Sequence, residues 1–373
     1  MFWRKSNDSL DTPNTMIERR KKRAQDSVRP NNLPDRRGSG SRVKKAEVSH
    51  APEENVDLAI EEAFLDFVLI KDIADSHRSE LVSEIKNVRK PHPILGSLIS
   101  DITVPKALFD IVRTDPELVA KVINMANSAL YGVSQPITTV NHAITYLGIV
   151  KVKNIAMHFA LQKSVEFTSK QQQLIYQKIW STSFLASNIA LILAQELQME
   201  NAAELSTRCQ LSYLGDISIL FTHPKTAQLY KSNKGLLERL DKMQTLTDTN
   251  PAVVGALLAE HWELPASIAK SIEIGLLPLT NQLLDAQLDE TEIKDSLICY
   301  CSKRLAEIII FEERPDIIIA KSFSFADTQQ IDFYYFESQL ERAQFMKLST
   351  LFASSAVKAK LQRALKITHE QLQ

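Results

Sequence analysis

Eight histidines and three cysteines are the residues of this 373-residue chain best able to ligate a metal or attack a substrate. Their spacing builds no familiar centre. The chain has no H-E-x-x-H, C-x-x-C, G-x-x-x-x-G-K or G-x-S-x-G, each of which fixes ligands, phosphate-binding amides or a nucleophile in one geometry. His158 lies in NIAMHFAL, an apolar helical pattern that suits a core or boundary histidine. His223 precedes Pro224 in a loop. His261 adjoins Trp262 at a helix end, where packing and the helix dipole suffice to explain it. His92 and His142 are isolated. Cys299 and Cys301 form a C-x-C on an expected helix, where positions i and i+2 do not face each other. With Cys209 they read as buried thiols of a reducing compartment, ahead of a metal site or a disulfide.

The most informative polar residues lie elsewhere. Asp115–Gly132 reads DPELVAKVINMANSALYG. Asp115 followed by Pro116 is a helix start, because proline at the first helical position gives up an N–H that has no helical partner. Leu118, Val119, Val122, Ile123 and Ala126 share one face. Asn124, Asn127 and Ser128 crowd its C-terminal end, and buried amides must be hydrogen-bonded. They are expected to cap carbonyls and tie the helix to the next loop, with Gly132 permitting the reversal. Tyr131 is expected to pack below, its hydroxyl satisfied.

Helices must carry these residues. Glycine is scarce at 9, hydrophobic content is 44% and charged content 24%, ordinary for a globular chain. From Val56 the apolar period is helical, through Leu58, Ala59, Phe64, Leu65, Val68 and Leu69 to about Arg89. Further helices are expected from Thr139 (Val140, Ala143, Ile144, Leu147, then Gly148), at Val152–Ala160, about 172–197, from Asn250–Pro251, about 290–311 and about 331–373. No strand alternation or internal repeat is evident. The fold class is all-α, a multi-helix bundle. No apolar run reaches a membrane span of roughly 18 residues. The N-terminus lacks a signal-peptide core, so a cytoplasmic location is expected.

Charge is divided unevenly. Residues 1–45 hold 13 basic and 5 acidic residues, a net of +8; the remainder holds 31 and 40, a net of −9. Residues 1–55 are too polar to bury a core and are expected to be disordered. Within them Arg19, Arg20, Lys21, Lys22 and Arg23 form a sharp cluster. It could contact nucleic acid, an anionic surface or an acidic partner, or serve as a solubilising tail. Lys151 and Lys153 could extend a basic patch, but a solvated face is the reading preferred for them.

The linked motifs Asp115-Pro116-Glu117-Leu118, Ala126-Asn127-Ser128-Ala129-Leu130-Tyr131-Gly132, Pro136-Ile137, Ala143-Ile144 and Leu147-Gly148 resemble the HD-related output domain family, HDOD. Weaker similarity continues through Trp180, Gly215 and GALLAEHWELP at 255–265. The resemblance implies a bacterial-type signalling domain over 91–312, preceded by a tail (1–55) and a helical segment (56–90) and followed by a helical extension (313–373). It also implies descent from HD metal-dependent phosphohydrolases, in which several helices supply histidine and aspartate ligands. At the corresponding places this chain has Thr182, Ser212, Tyr213 and Ser302, and Glu273–Leu276 reads EIGL.

The resemblance therefore implies a non-catalytic regulatory module without cofactor or metal, acting through a signalling protein partner or a small ligand in the vestigial pocket. With no receiver, cyclase or phosphodiesterase signature, the signal is expected to arrive by another chain or a ligand. Nucleic-acid or anionic-surface binding through the tail is the alternative. A residual hydrolase, with a metal held by Asp216, His223 and Glu260, is a third reading. The aromatic stretch DFYYFESQ is expected to pack on the body, or otherwise to make a homodimer contact.

Overall fold

The computed structural model describes residues 68–88, 94–100, 102–128, 131, 133–162, 167, 169–230, 235–280, 283, 286–315, 317, 325 and 331–372. The tail, its cluster Arg19–Arg23, Val56–Phe67 and Gly132 lie outside them. Among the described residues there is no strand, in keeping with the all-α expectation. No helix there is long and apolar enough to cross a membrane.

The described residues form sixteen α-helices in order: α1 Asp75–Ile85, α2 Ile94–Ile99, α3 Pro105–Val112, α4 Pro116–Ala126, α5 Val140–Leu147, α6 Ile149–Gln162, α7 Lys170–Glu196, α8 Ala202–Leu211, α9 Leu214–Thr222, α10 Leu236–Thr247, α11 Pro251–His261, α12 Ala266–Glu273, α13 Glu290–Ile310, α14 Phe336–Arg342, α15 Lys347–Leu351 and α16 Ser355–Leu372. The 27-residue α7, about 40 Å long at 1.5 Å per residue, is the axis. Helices α8, α13 and α16 pack along it, while α2 to α6 form a neighbouring group that reaches α7 through α6. Its middle section, Ile179–Leu191, is buried on every side, which is why the segment shows no single apolar stripe.

Local signals set several helix starts. Asp115 accepts from the N–H groups of Glu117 and Leu118 ahead of Pro116. Asn250 does the same for Ala252 and Val253 ahead of Pro251. Asp289 and Glu292 form a reciprocal capping box at α13. Each satisfies donors that a helix terminus leaves open.

Two expected helices are interrupted. Before α1, Val68 and Leu69 are non-helical, since the Val68 N–H donates to Gln244 Oε1 (3.0 Å) and its carbonyl accepts from Asn250 Nδ2 (2.7 Å). The segment expected to run helical from 331 to the end is broken into α14, α15 and α16. Gln344, at φ 52°, stops α14, and the Phe345 N–H closes back on the Leu340 carbonyl at 2.7 Å. The phenylalanines of the aromatic stretch pack inward, Phe333 and Phe336 being buried with Phe325 and Phe352 at ring centroids 4.7 to 5.6 Å apart, while Tyr334 is exposed.

Helices α9 and α11 cross closely at Gly215. A Cβ there would lie 1.8 Å from the Pro251 carbonyl oxygen, and one on Gly255 would lie 2.9 Å from the Gly215 nitrogen. The crossing places Asp216, one residue on, inside the core.

Candidate functional site

The motif turn is held by one side chain. Asn127, at the C-cap of α4, donates from Nδ2 to the carbonyls of Ile123 (3.0 Å) and Ile137 (2.6 Å). Its Oδ1 accepts from the Ile137 N–H at 2.7 Å. Residues ten apart in sequence are thus clamped, and the chain is delivered to Thr139, which caps α5 through the His142 N–H. Buried Leu147 closes α5 before Gly148, whose φ of 87° favours glycine.

Asn124 and Ser128 do not join this clamp. The buried side of α4 is Leu118, Val122, Met125 and Ala126, and helical pitch turns Asn124 away from it into solvent. The Ser128 hydroxyl is buried without a hydrogen-bond partner among the described residues. Tyr131 is half-buried, and burial pushes its phenol up.

A second cluster occupies the core between α8, α9, α10 and α13. Asp216 is buried and accepts a hydrogen bond from the Tyr230 hydroxyl at 2.7 Å. Burial raises its pKa, opposed first by the nearby Lys303. Lys303, itself buried, donates from Nζ to the Ser212 carbonyl at 3.2 Å, with its ammonium 4.5 Å above the Tyr213 ring. The Tyr213 hydroxyl donates to the Lys303 carbonyl at 3.3 Å.

Glu307, one turn beyond Lys303, receives Arg239 at 2.5 Å and Arg304 at 3.4 Å. Arg304 also pairs with Glu312 and, at 2.6 Å from Nε, with Asp332. Asp332 in turn accepts from the N–H groups of Leu236 and Leu237 at 2.9 and 3.0 Å, capping α10. Tyr300 donates its hydroxyl to the Asp332 carbonyl. Acids and bases alternate through this buried network, as burying charge requires.

Ser212, Asp216, Lys303 and Glu307 line a crevice with about 10 Å³ of free room, at most the space of one water molecule. Of the four residues that the resemblance aligned with HD ligands, Ser212 reaches this crevice and Tyr213 adjoins it. Thr182 bonds instead to the Lys178 carbonyl one turn back on α7. Ser302 is buried, and its hydroxyl has no hydrogen-bond partner among the described residues.

The other sequence candidates do not converge. Asp216 is engaged by Tyr230, His223 Nδ1 lies 2.9 Å from Thr222 Oγ1, and exposed Glu260 pairs with Arg78 at 3.2 Å. Among the described residues no three His, Cys, Asp or Glu side chains gather into a set that could hold a metal ion. Lys153 is not on a solvated face: it is buried and donates to the Ser100 carbonyl at 3.1 Å. His158 is buried against Phe159, Trp180 and Phe184. Burial and then Lys121 lower its pKa to about 4.

Sequence reading did not single out Lys303, Glu307, Arg239, Arg304 or Asp332. One signal was present: Lys303, Arg304 and Glu307 interrupt an otherwise apolar helix, with Arg304 and Glu307 at the i,i+3 spacing of an ion pair.

Residues 100–275 match the HDOD domain family. A curated relative, an uncharacterized protein of Treponema pallidum strain Nichols, is 22% identical over 169 residues; the match covers 43% of this chain and 31% of that protein. The chain therefore spans about a third of that relative's length. Among solved structures, a proposed phosphohydrolase from Shewanella amazonensis SB2B is similar, with a TM-score of 0.55 and 19% identity over 80% of this chain and 99% of that one. An HDOD domain protein of unknown function from Geobacter sulfurreducens gives 0.49 and 17%, over 75% and 98%. At these identities the likeness is one of fold.

Proposed function

With an HDOD domain at residues 100–275 as the premise, we propose that this chain is a non-catalytic regulatory module that acts by binding a signalling protein partner. The observation that carries the reading is that Lys303 lines the same crevice as Asp216, beside a Glu307 already paired with Arg239. A metal-dependent hydrolase needs several oxygen or nitrogen ligands around a cation with a position left for water. Here a lysine supplies the positive charge, and Thr182, Ser212, Tyr213 and Ser302 offer no carboxylate or imidazole. The crevice is also too small for an organic ligand.

The test is elemental mass spectrometry on full-length protein purified without metal-affinity resin, followed by an assay of a bis-aryl phosphate with added manganese. Metal far below one atom per chain and hydrolysis at the buffer rate are expected. Near-unit iron, manganese or zinc with phosphodiester hydrolysis would overturn the reading in favour of a residual hydrolase.

A second reading rests on the +8 of residues 1–45: the tail holds an anionic surface or nucleic acid. Binding of duplex DNA should then weaken steeply with salt and vanish when residues 1–45 are removed. Binding that survives the truncation removes this reading.

A further inference from the structure

We infer that Cys209 and Cys299 are a disulfide-forming pair, oxidised by hydroperoxides, that covalently joins α8 to α13. The two thiols come from different helices and point at each other's backbone. Cys209 Sγ donates to the Cys299 carbonyl at 3.9 Å, and Cys299 Sγ donates to the Leu205 carbonyl, one turn before Cys209, also at 3.9 Å. Each thiol thus lies against the backbone of the opposite helix, where α8 meets α13.

The register of the two helices is fixed next to the pair. Asp295, one turn before Cys299, accepts from Asn201 Nδ2 at 2.9 and 3.0 Å and from Arg208 at 3.1 Å. Three hydrogen bonds from two side chains on the α8 side therefore hold α13 in place beside the thiols. Cys301 is the internal comparison. It is equally buried but lies two residues along α13, on another side of the helix, and makes no such reciprocal contact.

The chemistry balances with one peroxide. The sulfur of one cysteine, as its thiolate, attacks the O–O bond, giving a sulfenic acid and one water once protons are shared. The second thiol displaces the sulfenic oxygen as a second water and the S–S bond forms. Two thiols lose two electrons and two protons, and the peroxide is reduced to two waters. Burial and the contact with Cys209 hold the Cys299 thiol protonated, so the reaction is slow. Hydrogen peroxide is small enough to enter during local openings of the kind that expose buried amides. One turn further, just past the end of α8 and on α13, stand Ser212 and Lys303, both lining the walls of the crevice. The bridge would tie those walls together.

The experiment is sustained exposure of native full-length protein to hydrogen peroxide, followed by alkylation in denaturant and non-reducing peptide mass spectrometry. The expected result is a Cys209–Cys299 linked peptide, an alkylatable Cys301, and recovery of all three thiols with dithiothreitol. Cys301→Ser should leave the bridge intact and Cys209→Ser should abolish it. Three alkylatable thiols after peroxide that oxidises the unfolded chain would overturn the inference. So would a dominant bridge through Cys301.

Discussion

Arg239 and Glu307 meet at 2.5 Å with side chains only 4% and 3% exposed. Arg239 also lies over Tyr230 at 5.1 Å and Phe311 at 5.8 Å, so aromatic carbon helps to desolvate its guanidinium. Removing one partner of such a pair strands a buried charge, at a cost of about 3–5 kcal/mol. Arg239→Leu and Glu307→Leu should each lose about that much stability in urea denaturation. The double variant should lose less than the sum, by roughly 0.5–3 kcal/mol, because neither charge is then orphaned. Strict additivity would mean that the two side chains do not interact.

The Asn127 clamp makes a smaller and more local prediction. Asn127→Ala leaves the Ile137 N–H and carbonyl without their partner. Loss of about 1–3 kcal/mol is expected from the unpaired groups. Asn124→Ala, on the exposed side of the same helix, should stay within about 0.5 kcal/mol of wild type. Equal melting of both variants with wild type would show that the turn does not depend on Asn127.

Much of the scaffold was legible because its signals are local. Asp115–Pro116 and Asn250–Pro251 each mark a helix start from adjacent residues, and the structure uses both. The charged network was not legible in the same way. Arg239 and Glu307 are 68 residues apart, and Asp332 reaches Arg304 from beyond α13. No periodicity encodes which buried charge meets which. Lys153 shows the same limit: a lysine in a helix pattern carries no mark of the single carbonyl, Ser100, that draws it inward. Interruptions such as Gln344 escaped because a left-handed residue other than glycine or asparagine leaves no compositional trace.

The crossing of α9 and α11 gives the sharpest steric prediction. A methyl group on Gly215 would overlap the Pro251 carbonyl oxygen, which is backbone and cannot rotate away. Gly215→Ala should cost at least the upper end of the roughly 1–3 kcal/mol usual for overpacking. Gly255→Ala meets its neighbours at 2.9 Å and should cost less. Chemical denaturation of the two variants ranks them directly, and a Gly215→Ala protein as stable as wild type would mean that the helices do not cross so closely.

His158 sets an acid limit on stability. Its pKa is lowered to about 4 by burial and then by Lys121, against roughly 6.5 in the unfolded chain. Between those values the unfolded state binds a proton that the folded state refuses, so stability falls as pH drops through that window. Above about pH 6.5 both states are neutral there and the effect vanishes. The full loss approaches an order of 3 kcal/mol near pH 4. Buried Asp216 and Asp295, whose pKa values are raised mainly by burial, act in the opposite sense, so the contribution must be read as a difference. His158→Phe keeps an aromatic ring among Phe159, Trp180 and Phe184 and removes the titration. Wild type minus variant, measured in urea from pH 7.5 to 4, should slope downward only below about 6.5; parallel curves would place the histidine in contact with water.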